Sequence, residues 1–163
     1  MQHIIGISKK AAQYGVRPVI HPHAGGYIEF ADEIEAVMRD IPYETAGLCL
    51  DTGHLYYSGM NPVEWLKKCA DRLDYVHFKD VNETIYKEVL SQHIRFFEGC
   101  GKGSMYPIGK GCLDYPAIKK ALEEIGYSGY ITIEQERDPR NVSTSLRDVK
   151  ESVTYLKSVG YEI

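Results

Sequence analysis

An α/β fold built on parallel strands is predicted by three observations. Short β-rich runs alternate with helix-patterned segments along the chain, the rhythm parallel strands require because each crossover takes about a dozen residues. Splitting the runs by parity puts aliphatic and aromatic residues on one face and polar ones on the other. The ionisable residues of that second face gather at the C-terminal strand ends, where parallel α/β proteins bind their ligands.

The elements follow in order. Ile4 to Tyr14 reads as the tail of a helix, with Ile4, Ile7, Ala11 and Ala12 at helical spacing before Gly15 stops it. Arg17 to His23 is the first strand and Glu29 to Arg39 the next helix. Ala46 to Asp51 is the second strand, followed by a helix over Pro62 to Arg72 with Val63, Leu66 and Ala70 on one side. Tyr75 to Lys79 is the third strand, and Glu83 to Phe97 is helical. The glycine-rich stretch from Gly99 to Gly111 reads as a surface loop or mobile lid. Its Gly99-Cys100-Gly101-Lys102-Gly103 lacks the short strand-to-helix setting and the Lys-Ser/Thr ending of a phosphate loop. Tyr115 to Ile125 is a helix whose start is marked by Asp114 and Pro116. Tyr130 to Glu134 is the fourth strand, and Leu146 to Val159 the last helix. No Pro- or Gly-rich tract divides the chain, so residues 1–163 are predicted to form one domain.

Composition narrows the function. The 163 residues carry 19 Lys and Arg against 23 Asp and Glu, a net charge of -4 with the cations scattered, which argues against a nucleic-acid partner. No run reaches the roughly 18 apolar residues of a membrane span, and the N-terminus lacks a signal-peptide pattern, so a soluble cytoplasmic protein without a membrane partner is expected. Cys49, Cys69, Cys100 and Cys112 are widely spaced, without a C-x-x-C pair. They are predicted to be reduced thiols, two buried and two in a loop. A complete single-chain (β/α)8 barrel, at about 250 residues, does not fit the length.

The parity split is consistent over all four strands. Ile20, Leu48, Leu50, Val76, Phe78, Ile131 and Ile133 form the face suited to packing under helices. The other face carries Val19, His21 and His23, then Cys49 and Asp51, then Tyr75, His77 and Lys79, then Thr132, Glu134 and Glu136. His21, Asp51, His77 and Glu134 together supply two imidazoles and two carboxylates, the donor mix of a divalent cation such as Mn, Co or Zn. In Asp51-Thr52-Gly53-His54, Asp51 either ligates or simply caps a following helix, and His54 is a further ligand, an acid/base or a hydrogen-bond donor to substrate. Lys79 either holds a substrate oxygen or is a solvated rim lysine paired with Asp80 or Glu136. His23 either contacts substrate or orients His21.

Five segments carry a family resemblance: Val19-Ile20-His21-Pro22-His23-Ala24-Gly25, Leu50-Asp51-Thr52-Gly53-His54, Val76-His77-Phe78-Lys79-Asp80, Gly109-Lys110-Gly111-Cys112-Leu113-Asp114-Tyr115 and Ile133-Glu134-Gln135-Glu136. In content and order they resemble the xylose-isomerase-like sugar isomerase/epimerase barrels, and within these the inosose dehydratases. The resemblance implies the C-terminal half of a (β/α)8 TIM barrel, with four parallel strands corresponding to barrel strands five to eight. It implies one divalent metal, Mn or Co with Zn as an alternative, held by His21, Asp51, His77 and Glu134. His23, His54, Lys79 and Glu136 would face a cyclitol or sugar substrate.

The family's strand-five ligand, commonly Glu, falls at His21. Only Glu134 then remains of the two glutamates that a symmetric epimerisation uses, and β-elimination of water, needing one base and one acid, is favoured. For a keto-inositol such as 2-keto-myo-inositol the implied chemistry is dehydration through an enolate, with Glu134 as base and His54 or Lys79 assisting the leaving group. The alternatives are sugar isomerisation or epimerisation by the same metal chemistry, or an inactive half-barrel that only binds metal or sugar. A half-barrel is expected to pair with a separate N-terminal half or with a second copy of itself.

Overall fold

A computed structural model of the chain describes residues 1–138, 140 and 142–163. Its main sheet has four parallel strands, β1 (Val19–Ile20), β2 (Gly47–Asp51), β3 (Leu73–Phe78) and β6 (Ile131–Ile133), in spatial order β1-β2-β3-β6. Helices α1 (Gln2–Ala12), α2 (Ala31–Asp40), α4 (Pro62–Lys68), α7 (Tyr115–Glu124) and α8 (Ser145–Ser158) flank it. Each strand neighbours the next of the sheet in chain order, as half of an eight-stranded barrel requires.

The core lies between the sheet and these helices. Leu48, Leu50, Val76 and Phe78 are fully enclosed, against Ile34, Leu66, Ile118 and Leu156. The opposite face is half-open, and across it the Tyr75 and Thr132 hydroxyls meet at 2.9 Å. At the two sheet edges, Val19 and Ile131 are exposed. Local signals set the helix starts. The Glu33 carboxylate accepts the Glu29 and Phe30 amides ahead of α2, and Asp114 accepts the Ala117 amide at the start of α7, where the sequence places that helix's cap.

Several boundaries differ from the sequence reading. β1 is only two residues long, because Pro22 has no N–H with which to continue the ladder. Asp51-Thr52-Gly53-His54 opens a short helix, α3 (Thr52–Tyr57), not a bare turn. The helix after Glu83 ends at Ser91, giving α5 (Glu83–Ser91). The expected lid is ordered: residues Phe96–Lys102 form α6, and β5 (Met105–Tyr106) pairs antiparallel with β4 (Asp80–Val81). Gly99 serves packing there, since a Cβ would press on Val89 and the Tyr57 hydroxyl. Cys100 is consequently buried with Cys49 and Cys69, so three thiols are enclosed and Cys112 alone is exposed. All four cysteines are free. Among the described residues no helix is long and apolar enough to cross a membrane.

Candidate metal centre

Parallel pairing brings the polar strand ends to one place. Asp51 registers beside His77, and His77 beside Thr132, two residues before Glu134. Ligand atoms of His21, Asp51, His77 and Glu134, one per residue, all lie within 4.8 Å of one another. The structure therefore assembles the set proposed from strand parity.

Two of the four present unsatisfied lone pairs. The carbonyl of Cys49 lies 3.0 Å from His21 Nδ1 and can only accept, so Nδ1 carries the hydrogen and Nε2 is left bare. His21 Nε2 is buried without a hydrogen-bond partner, and so is Asp51 Oδ2. Buried polar atoms are rarely left so, and lone pairs converging from two imidazoles and two carboxylates fit a divalent cation. Burial lowers the His21 pKa and keeps the ring neutral, as a ligand must be. Burial also pushes the Asp51 carboxyl up to about 6, against the pull of Lys79. Glu134 accepts from His77 Nδ1 at 2.8 Å, and this bond holds its carboxyl down at about 2.

Both readings of Asp51 are realised, one per oxygen. Oδ1 accepts the His54 amide at 2.8 Å and caps α3, while Oδ2 faces the cluster. Gly53 allows this tight turn, because a Cβ there would strike Cβ and Cγ of Lys79.

Lys79 is fully buried, not solvated at a rim. Its Nζ lies 2.8 Å from both His54 Nε2 and Glu136 Oε2, 3.5 Å from Glu134 and 3.7 Å from Asp51. Burial alone would lower its pKa; Asp51, Glu136 and Glu134 outweigh burial and raise it. Asp80 takes no part in that pairing. His23 Nε2 stands 3.3 Å from Glu136, its Nδ1 bonds the Ala24 carbonyl at 2.8 Å, and its ring stacks on His54 at 3.7 Å. Burial pulls the His54 pKa down and keeps that ring neutral.

Three supporting residues escaped the sequence reading. Phe96 packs its ring 5.5 Å from those of both His23 and His54. Behind the site, the Thr52 and Tyr115 hydroxyls meet at 3.1 Å and both donate to the Lys79 carbonyl, at 3.0 and 3.1 Å. Thr52 and Tyr115 lie within the motif segments of Asp51 and Asp114, and that membership was the available signal.

A four-stranded parallel α/β sheet with a donor set that could hold a cation at its C-terminal end has the architecture of half a (β/α)8 barrel. The family model of the xylose isomerase-like TIM barrel matches residues 4–159, and the chain belongs to that family. It is 37% identical over 133 residues to an inosose dehydratase of Clostridium beijerinckii, covering 82% of this chain and 45% of that protein. The chain thus spans a little under half the length of that relative. Among solved structures, a xylose isomerase domain protein from Planctomyces limnophilus superposes with TM-score 0.75 at 25% identity, over 95% of this chain and 50% of that one. The IolI protein, solved with a bound zinc atom, superposes with TM-score 0.70 at 21% identity, over 98% and 55%.

Proposed function

We propose that this chain carries the metal-binding side of a dehydratase site that eliminates water from a keto-cyclitol such as 2-keto-myo-inositol. The observation that carries the reading is the asymmetry of the donor set: two histidines, a buried aspartate, and a single glutamate, Glu134, whose side chain is 32% exposed. His21, Asp51, His77 and Glu134 would hold Mn, Co or Zn. Such a cation supplies Lewis acidity, polarising a ketone so that the adjacent C–H is acidified.

The chain's own residues do the rest. Glu134, held ionised by its bond from His77, removes the proton next to the ketone. His54 donates a hydrogen bond to the departing hydroxyl, and the proton taken by Glu134 passes to that hydroxyl, so that it leaves as water. Glu136, tied to Lys79 and His23, is spoken for as their counter-charge. Asp51 is enclosed and assigned to the cation, so no second carboxylate among the described residues of the cluster is left to return a proton from the opposite face, which favours elimination over epimerisation.

The test is a dehydration assay on 2-keto-myo-inositol with added Mn, Co or Zn, read by the ultraviolet absorbance of the conjugated product. A metal-dependent rise is expected, and Glu134→Gln should lose it; full turnover by Glu134→Gln would overturn the base assignment. The open edges at β1 and β6 fit further βα units, from a separate half-barrel or a second copy. The assay therefore includes an N-terminal half supplied in trans, and sedimentation as a monomer at micromolar concentration would exclude the second copy.

A further inference from the structure

His54 is the ambiguous member of the site. Ligand atoms of His21, His23 and His54 also lie within 4.8 Å of one another, so by residue type these three form a rival metal site. The bonding pattern separates His54 from His21. At His21 the occupied nitrogen is Nδ1, against a carbonyl that only accepts, and Nε2 keeps its lone pair.

At His54 the pattern is reversed. Its occupied nitrogen is Nε2, 2.8 Å from Lys79 Nζ. An ammonium group has three hydrogens and no lone pair, so it donates and Nε2 accepts. The rest of the Lys79 ammonium faces groups that only accept, the carboxylates of Glu136 at 2.8 Å, Glu134 at 3.5 Å and Asp51 at 3.7 Å. The single hydrogen of the neutral ring then sits on Nδ1. Neither nitrogen of His54 is open to a cation, one being taken by Lys79 and the other by its own hydrogen. His54 Nδ1 is buried and has no hydrogen-bond partner, which leaves a donor free for a ligand oxygen.

We propose that Lys79 is a positioning residue that fixes His54 as the Nδ1–H tautomer, making it a hydrogen-bond donor to substrate oxygen and excluding it from metal ligation. The donor role rests on the reading of the site given above; the tautomer rests on the hydrogen bonds alone. Lys79 thereby confines a cation to His21, Asp51, His77 and Glu134 and keeps the three-histidine set unused.

The experiment is a long-range proton–nitrogen correlation spectrum of the metal-free protein labelled with 15N-histidine, with the His54 signal assigned by its loss in His54→Gln. The expected result is a protonated Nδ1 and a bare Nε2 at His54. A protonated Nε2 there in the unaltered protein would overturn the proposal. Lys79→Met should shift the His54 signal toward the Nε2–H form. An unchanged His54 tautomer in folded Lys79→Met would also overturn it. Because the spectrum is recorded without metal or substrate, it decides the tautomer independently; zinc titration of the unaltered sample decides the metal reading.

Discussion

Asp51 ends β2 and Asp80 opens β4, two residues past the end of the neighbouring β3; they are equally enclosed, at 1% and 0% exposure, yet their surroundings are opposite. Asp80 is saturated. Its Oδ1 accepts the amides of Val81 and Leu113, and its Oδ2 those of Gly109 and Gly111. Gly111 leaves the room this requires, since a Cβ would collide with the carboxylate. Asp51 accepts one amide and has an oxygen to spare. Burial raises both pKa values, so neither residue type, burial nor pKa direction tells them apart. The incomplete set of donors does: Asp80 organises a loop, and Asp51 keeps one buried oxygen without a hydrogen bond.

The largest effect that would break this contrast is at Asp80. Asp80→Ala strands four amides, and with about 1–3 kcal/mol for each buried donor left unsatisfied, a loss above ~3 kcal/mol in urea unfolding is expected. A midpoint like that of the unaltered protein would show that Asp80 is not the loop's anchor. Asp51→Asn should instead leave metal-free stability within about 1 kcal/mol, because only one hydrogen bond is at stake. What it should lose is cation-induced stabilisation, about 2.7 kcal/mol when free zinc is 100 times its dissociation constant, read as a calorimetric shift between zinc and chelator. The smallest effect sharpens the picture of how the two corners connect. Thr52→Val removes the hydroxyl that donates to the Lys79 carbonyl and accepts the Lys79 amide and should cost about 1–2 kcal/mol; Tyr115→Phe should cost about 1 kcal/mol by the same reasoning.

Much of this was legible in the residues. Alternation located all four strands, and parity placed His21, Asp51, His77 and Glu134 on one face, because side-chain direction along a strand is fixed by the pleat. Hydrogen-bond allocation was not legible. Nothing in Lys79-Asp80 says that the lysine turns toward Glu136 and the aspartate toward the loop after Met105. The glycines of α6 misled for a related reason: Gly99 makes room for Val89 and Tyr57, and Gly103, at φ 90°, ends the helix in the left-handed region. Composition alone does not distinguish glycine used for close approach from glycine used for a loop.

Each strand of the sheet positions one member of the donor set, Asp51 and His77 within β2 and β3 and His21 and Glu134 directly after β1 and β6, and His77 and Glu134 meet across 57 residues of chain. A slip of one residue in any pairing would turn its donor to the opposite face, and binding energy at such a site is folding energy. The set exists as a set only once every pairing is correct. Cation uptake by the proposed set would therefore be a proofreading signal for assembly of the sheet, and a refolding reaction followed by zinc uptake would report the moment at which the last strand has found its register.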